Sequence, residues 1–184
     1  MFIQTETTPN PLTLKFIPGE IVMPNGTAEF RSAAEAAASP FALRLFRLQG
    51  VIGAFYGRDF IAVTKDDTRD WAVLKPLILG MVMDHFSQAQ PQLFTTPPAT
   101  TSSRITTSDD PVIQKIIDLL EKRIRPAVAQ DGGDITFDRF ENGVVYVQMR
   151  GACAGCPSST ITLKAGIENM LRHYVPEVTE VRAA

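Results

Sequence analysis

The sequence predicts an α+β protein built as two small two-layer domains. Three observations carry that class: hydrophobic alternation over strand-length runs, apolar spacing of helical period between them, and one stretch, 88–108, with little to bury. The domains are expected at 1–87 and 109–184, with 88–108 as a flexible linker. The C-terminal domain should run α-β-β-α-β, its two cysteines in a C-x-x-C loop between a strand and a helix.

In the first domain, 2–7 and 12–17 read as strands around the turn Thr8-Pro9-Asn10-Pro11, and 28–31 as a third. Leu12, Leu14 and Phe16 alternate with Thr13 and Lys15, which marks one buried face. Ser39 and Pro40 suit the cap and first position of a short helix; Phe41, Leu45 and Leu48 share a face of it, and Gly50 closes it. Runs 51–56 and 60–65 form a hairpin across Gly57-Arg58-Asp59. A second helix ends near Phe86 and buries Leu74, Leu77, Ile78, Met81 and Val82. Pro76 lacks an N–H, so regular helix is expected to start near it, after a separate turn at 70–75.

Thr, Ser, Pro and Gln then dominate 88–108, the composition of a linker. Beyond it, Asp110 and Pro111 open a helix whose apolar stripe is Val112, Ile113, Ile116, Ile117, Leu120 and Ile124, and which Pro126 should end or kink. Lys122, Arg123 and Arg125 read as its solvated end. Asp131-Gly132-Gly133-Asp134 turns the chain, the two carboxylates serving as turn residues. Runs 135–140 and 144–149 flank Asn142-Gly143, a strong hairpin signal. Leu163, Ile167, Met170, Leu171 and Tyr174 then recur at helical spacing after Pro157, and 177–181 is a final strand.

Composition narrows the function. The chain has 184 residues, 45% hydrophobic and 21% charged, with a formal net charge of −2, so nothing draws it to nucleic acid or an anionic membrane. The longest apolar run, 77–83, is far below the ~20 residues that span a bilayer, and no N-terminal stretch reads as a signal peptide. No phosphate loop, H-E-x-x-H or nucleophile elbow is present, so an enzyme is not expected.

Both cysteines of the chain lie in Gly151-Ala152-Cys153-Ala154-Gly155-Cys156-Pro157. With a helix beginning at Pro157, Cys156 sits near the positive end of its dipole, which favours thiolate. Incidental small apolar residues are one reading of the pair. A dithiol redox catalyst is another, although its resolving cysteine belongs inside the first helical turn, and Pro157 leaves both outside. Metal binding is the third: two thiolates per chain against the four ligands that zinc or an iron–sulfur cluster takes. His173 lies roughly 24 Å along the helix from Pro157, and His85 is in the other domain, so each reads as a satisfied or surface histidine. On this third reading a second chain supplies the missing pair across a two-fold axis, as a zinc-bridged dimer or a shared cluster.

Asp131-Gly132-Gly133-Asp134-Ile135, followed by the cysteine loop and Ser158-Ser159, resembles the C-terminal domain of NifU and the Nfu proteins. Thr8-Pro9-Asn10-Pro11, Leu14-Lys15-Phe16 and Ser39-Pro40 are similar to the N-terminal domain of Nfu. The resemblance implies an iron–sulfur scaffold or carrier with a [4Fe-4S] cluster held between two protomers, Cys153 and Cys156 its ligands. It implies a homodimer formed through the cluster, an upstream assembly donor and apo-protein clients, with neither nucleic acid nor membrane as partner. The corresponding location is the cytoplasm of a bacterium, or the mitochondrial matrix for a processed eukaryotic form.

Overall fold

A computed structural model of the chain describes residues 2–88, 91, 110–154 and 157–184, with 157–162 described by backbone alone. The expected linker at 88–108 lies outside the described residues apart from Gln88 and Pro91. The chain divides into two units, Met1–Ala99 and Thr100–Ala184.

The first unit holds strands β1 (Gln4–Thr7), β2 (Thr13–Ile17), β3 (Ala28–Phe30), β4 (Val51–Tyr56) and β5 (Ile61–Lys65). They form one antiparallel sheet in the order β1-β2-β5-β4-β3. Phe16, Ile61, Tyr56 and Ala28 are register partners across four strands and share a core with Phe41, Leu45, Leu74, Ile78 and Val82. The other face of β2 is buried too, where one-sided alternation was expected. Lys15, only 7% exposed, lies 4.9 Å from the Phe60 ring centroid and 3.1 Å from Glu6 Oε2. An alkyl stem over an aromatic ring buries well when its ammonium keeps a carboxylate partner, so the polar letter did not mean a solvent face.

Ser39 caps α2 (Pro40–Leu45), its hydroxyl accepting from the Ala42 N–H. A one-turn helix that the sequence did not suggest, α1 (Ala33–Ala36), is capped in the same way by Ser32. The last helix, α3 (Trp71–Ser87), corrects the expected break at Pro76: it starts at the Asp70 cap and runs unbroken through the proline. Proline at 76 deletes one bond, to the Ala72 carbonyl, while Leu74 in the first turns joins Ile78 and Val82 in the core. Leu77, expected inside, is 49% exposed, and Met81 is only partly buried. His85 is fully buried against Phe41, its ring centroid 4.9 Å away.

In the second unit, α4 (Pro111–Leu119) begins at Asp110, whose carboxylate accepts from the Val112 N–H. It passes through a π-type turn, Leu120–Ile124, into α5 (Arg125–Gln130). Pro126 therefore does not end the run; the turn directly ahead of it widens, with the Arg125 N–H donating to the Leu120 carbonyl. Strands β6 (Gly133–Glu141) and β7 (Val144–Gly151) form the predicted hairpin. Asn142 and Gly143 both take positive φ, 50° and 79°, as a two-residue turn matched to strand twist requires. Helix α6 (Pro157–Tyr174) then leads to β8 (Glu180–Ala183), which pairs parallel to β7 and begins three residues later than the expected 177–181. Ile135, Phe137, Val145, Val147 and Val181 meet Ile116, Leu120, Ile167 and Leu171 in one core. Among the described residues, no helix is long and apolar enough to cross a membrane.

Candidate functional site

The site is built where β6 and β7 end their ladder, at the register pair Gly133–Gly151. Gly132 and Gly151 both have positive φ, 80° and 67°, so each strand can turn sharply there. The Ala152 N–H donates to the Gly132 carbonyl at 3.1 Å, tying the turn before β6 to the turn after β7. A single 3₁₀ turn, Ala152–Ala154, follows and carries Cys153; α6 starts at Pro157, the position the sequence suggested. Gly155 and Cys156 lie outside the described residues, and with them the expected thiolate at the helix end.

Cys153 lies in the expected strand-to-helix connection but not in solvent. It is 4% exposed and belongs to the core of its unit. Burial first, then the Asp131 and Asp134 carboxylates, push its thiol up to about 12, so in this state it carries its proton at neutral pH.

Two further features escaped the sequence. The first is an ion pair. Arg125 forks onto Asp134, Nε donating to Oδ1 at 2.7 Å and Nη2 to Oδ2 at 3.0 Å. A third donor, the Ile135 N–H, reaches Oδ1 at 2.9 Å, and Arg125 Nη1 holds Glu121 at 2.8 Å. Asp134 is thus a buried anchor rather than a turn residue in solvent, and Arg125 is no part of a solvated helix end. The Asp134 hydrogen bond outweighs partial burial and holds the guanidinium above its already high ordinary range. The neighbours fit the surface reading better: Lys122 pairs with Asp118, and Arg123 lies over the Tyr174 ring.

The second is Gly133. Its φ is not in the left-handed region, so backbone freedom does not explain it. Space does: a Cβ there would stand 2.7 Å from Cys153 Sγ and 2.7 Å from the Arg150 carbonyl oxygen. Two adjacent glycines with different reasons to be glycine was the one signal available, and spacing could not sort them.

His85 is in the first unit, and His173 is exposed at the far end of α6 against Tyr174. Among the described residues, no group of three or more His, Cys, Asp or Glu side chains is placed to hold a metal ion.

Known proteins match the chain over nearly its whole length. A family profile described as "Scaffold protein Nfu/NifU N terminal" covers residues 3–89, and one described as "NifU-like domain" covers 116–182. "NifU-like protein 5, mitochondrial" of Arabidopsis thaliana is 50% identical over 98% of this chain and 67% of its own length. The chain belongs to the Nfu/NifU-like scaffold family. The human "NFU1 iron-sulfur cluster scaffold homolog, mitochondrial" is 47% identical over 98% of this chain and 71% of its own. This Nfu/NifU-like chain thus spans about two thirds of the length of the curated relatives it matches. A solution structure of a NifU-like protein from Saccharomyces cerevisiae aligns with a TM-score of 0.47 at 26% identity, covering 52% of this chain and 86% of that one.

Proposed function

We propose that the chain is a carrier of a [4Fe-4S] cluster, held between two copies and passed on to apo-proteins. Cys153 and Cys156 are its ligands in this reading, and an upstream assembly protein is the donor. The observation that carries it is arithmetic: the chain has two cysteines, and the described residues offer no third and fourth ligand beside Cys153. Family membership supplies the iron–sulfur chemistry, and a second copy across a two-fold axis would supply the other two thiolates. Transfer is then ligand exchange, with incoming thiolates replacing the two cysteines in turn and no redox step. The matching relatives carry "mitochondrial" in their names, which favours the mitochondrial matrix over a bacterial cytoplasm for this chain.

Iron and sulfide assay with analytical ultracentrifugation on anaerobically purified protein tests the reading. Four iron and four sulfide per two chains, with dimer content following cluster content, is the expected result. A holo-protein that stays monomeric, or a Cys153→Ser or Cys156→Ser variant that keeps full iron content, overturns it. A colourless zinc protein would favour the zinc-bridged dimer. A dithiol oxidoreductase would instead cycle between thiols and an intramolecular disulfide.

A further inference from the structure

We infer that Cys153 has two positions, a stowed one in which its sulfur lies in the recess left by Gly133 and a presented one for the cluster, and that Gly133 is the positioning residue that sets the balance. The inference rests on the reading of Cys153 as a ligand. Three observations support it. The residue is 4% exposed, with its side chain in the core rather than in solvent. On the Gly133 side, not even a methyl carbon fits beside Sγ at a normal contact distance. The walls of the recess are fastened, by the Ala152-to-Gly132 hydrogen bond and by the Arg125–Asp134 fork at the start of β6.

A metal–thiolate bond is about 2.3 Å long, and in a cluster the metal brings sulfides and further metals with it. The Gly133 side of the sulfur cannot admit them, and with the residue only 4% exposed the other sides offer little opening. For a cluster shared with a second chain, the sulfur must therefore leave the recess, which requires the 3₁₀ turn Ala152–Ala154 to swing away from the Asp131–Asp134 turn and give up the Ala152-to-Gly132 hydrogen bond. Ligation then exchanges the thiol proton, released to water, for a bond to iron. Stowing keeps one thiol of each unloaded chain away from oxidants and stray metals, and loading is coupled to a local opening.

The test uses the full-length apo-chain with Cys156→Ser, so that Cys153 is its sole thiol. Its rate of alkylation by iodoacetamide is compared with that of the same chain unfolded in urea, at one pH. Stowing predicts protection of at least ~10-fold in the folded chain, and Gly133→Ala, if folded, should remove most of it by taking the sulfur's space. Absence of protection overturns the inference, as does protection that a folded Gly133→Ala variant leaves unchanged. Should Gly133→Ala fail to fold, as its methyl also meets the Arg150 carbonyl oxygen, the protection measured in the Gly133 chain decides: protection supports the stowed position and its absence overturns it. Iron content of Cys153→Ser keeps the two claims apart. A stowed Cys153 in a chain whose Cys153→Ser variant loads normally refutes the ligand reading, whereas an unprotected Cys153 whose loss abolishes loading refutes only the stowed position.

Discussion

Replacing Arg125 with leucine tests how much the second unit depends on one buried carboxylate. In the native chain Asp134 accepts two hydrogen bonds from Arg125 and one from the Ile135 N–H; without Arg125 the two charge-assisted ones are lost. Removing one partner of a buried pair costs about 3–5 kcal/mol, chiefly for the charge left behind. Here the guanidinium is 32% exposed while the carboxylate is 4% exposed, so water can take over part of its role and about 2–3 kcal/mol is the working figure. At about 4–8 °C per kcal/mol for a domain of this size, the second unit should melt roughly 10–20 °C lower. Far-UV circular dichroism of the full-length apo-protein records that shift. Trp71 is the single tryptophan and lies in the first unit, so its fluorescence is an internal control that should not move. The double variant Arg125→Leu, Asp134→Leu should recover most of the loss, since no charge remains to be desolvated. A loss below about 1 kcal/mol would place this pair with ordinary surface ion pairs and refute the reasoning. A double variant no better than the single would refute it as well.

Pro76→Ala restores the missing donor in α3, and the position is exposed, so stability monitored at Trp71 should rise by about 1–3 kcal/mol in urea titrations. The Cys153 thiol, pushed up to about 12 from 9.0, makes the apo-chain hold a proton that the unfolded chain releases. In the second unit that stabilisation is complete below pH 9.0 and is lost as pH rises towards 12, at up to about 1.4 kcal/mol per pH unit; urea titrations of the second unit against pH should show Cys153→Ala lacking this slope, while the buried Tyr56 phenol, also pushed up, keeps its own in the first. Limited proteolysis should cut first within 88–108, because the stretch is too polar and proline-rich to bury. The fragment from residue 108 onward should fold and take up a cluster, which iron assay on the purified piece checks. Equal transfer rates by fragment and full-length protein to every acceptor tried would leave the first unit no part in client choice.

The elements that were legible in sequence are those specified within a few residues. Ser39-Pro40, Asp110-Pro111 and Asn142-Gly143 each set a backbone state by their own chemistry, and each appears in place. Helix α3 was misjudged because it is apolar on all sides, so periodicity could not choose between Leu77 and His85 for the core, and tertiary burial outweighed one missing hydrogen bond at Pro76. At the site, the C-x-x-C spacing left three readings of the pair open and carried no information about burial, which depends on Gly133 lying against Cys153 where the hairpin ends. The Arg125–Asp134 fork joins a helix to a strand through a reversal of the chain, and no local rule pairs those two residues among several carboxylates and cations nearby.

The π-type turn sets an angular phase. Ile116, Leu120, Ile124 and Val128 are all buried, spaced by four throughout. In an unbroken α-helix, four residues overshoot a full revolution by about 40°, so three such steps would carry Val128 about 120° round from Ile116 and away from the sheet. The wider turn at Leu120–Ile124 needs more than four residues per revolution and winds the middle step back. Arg125, directly after it, is aimed at Asp134 by the same correction. Replacing Pro126 with a stronger helix former, a change that helix propensity alone would favour, lets this turn tighten to α geometry. Val128 then rotates off the core and Arg125 off its carboxylate, so the gain in local helix is set against a loss to the whole unit.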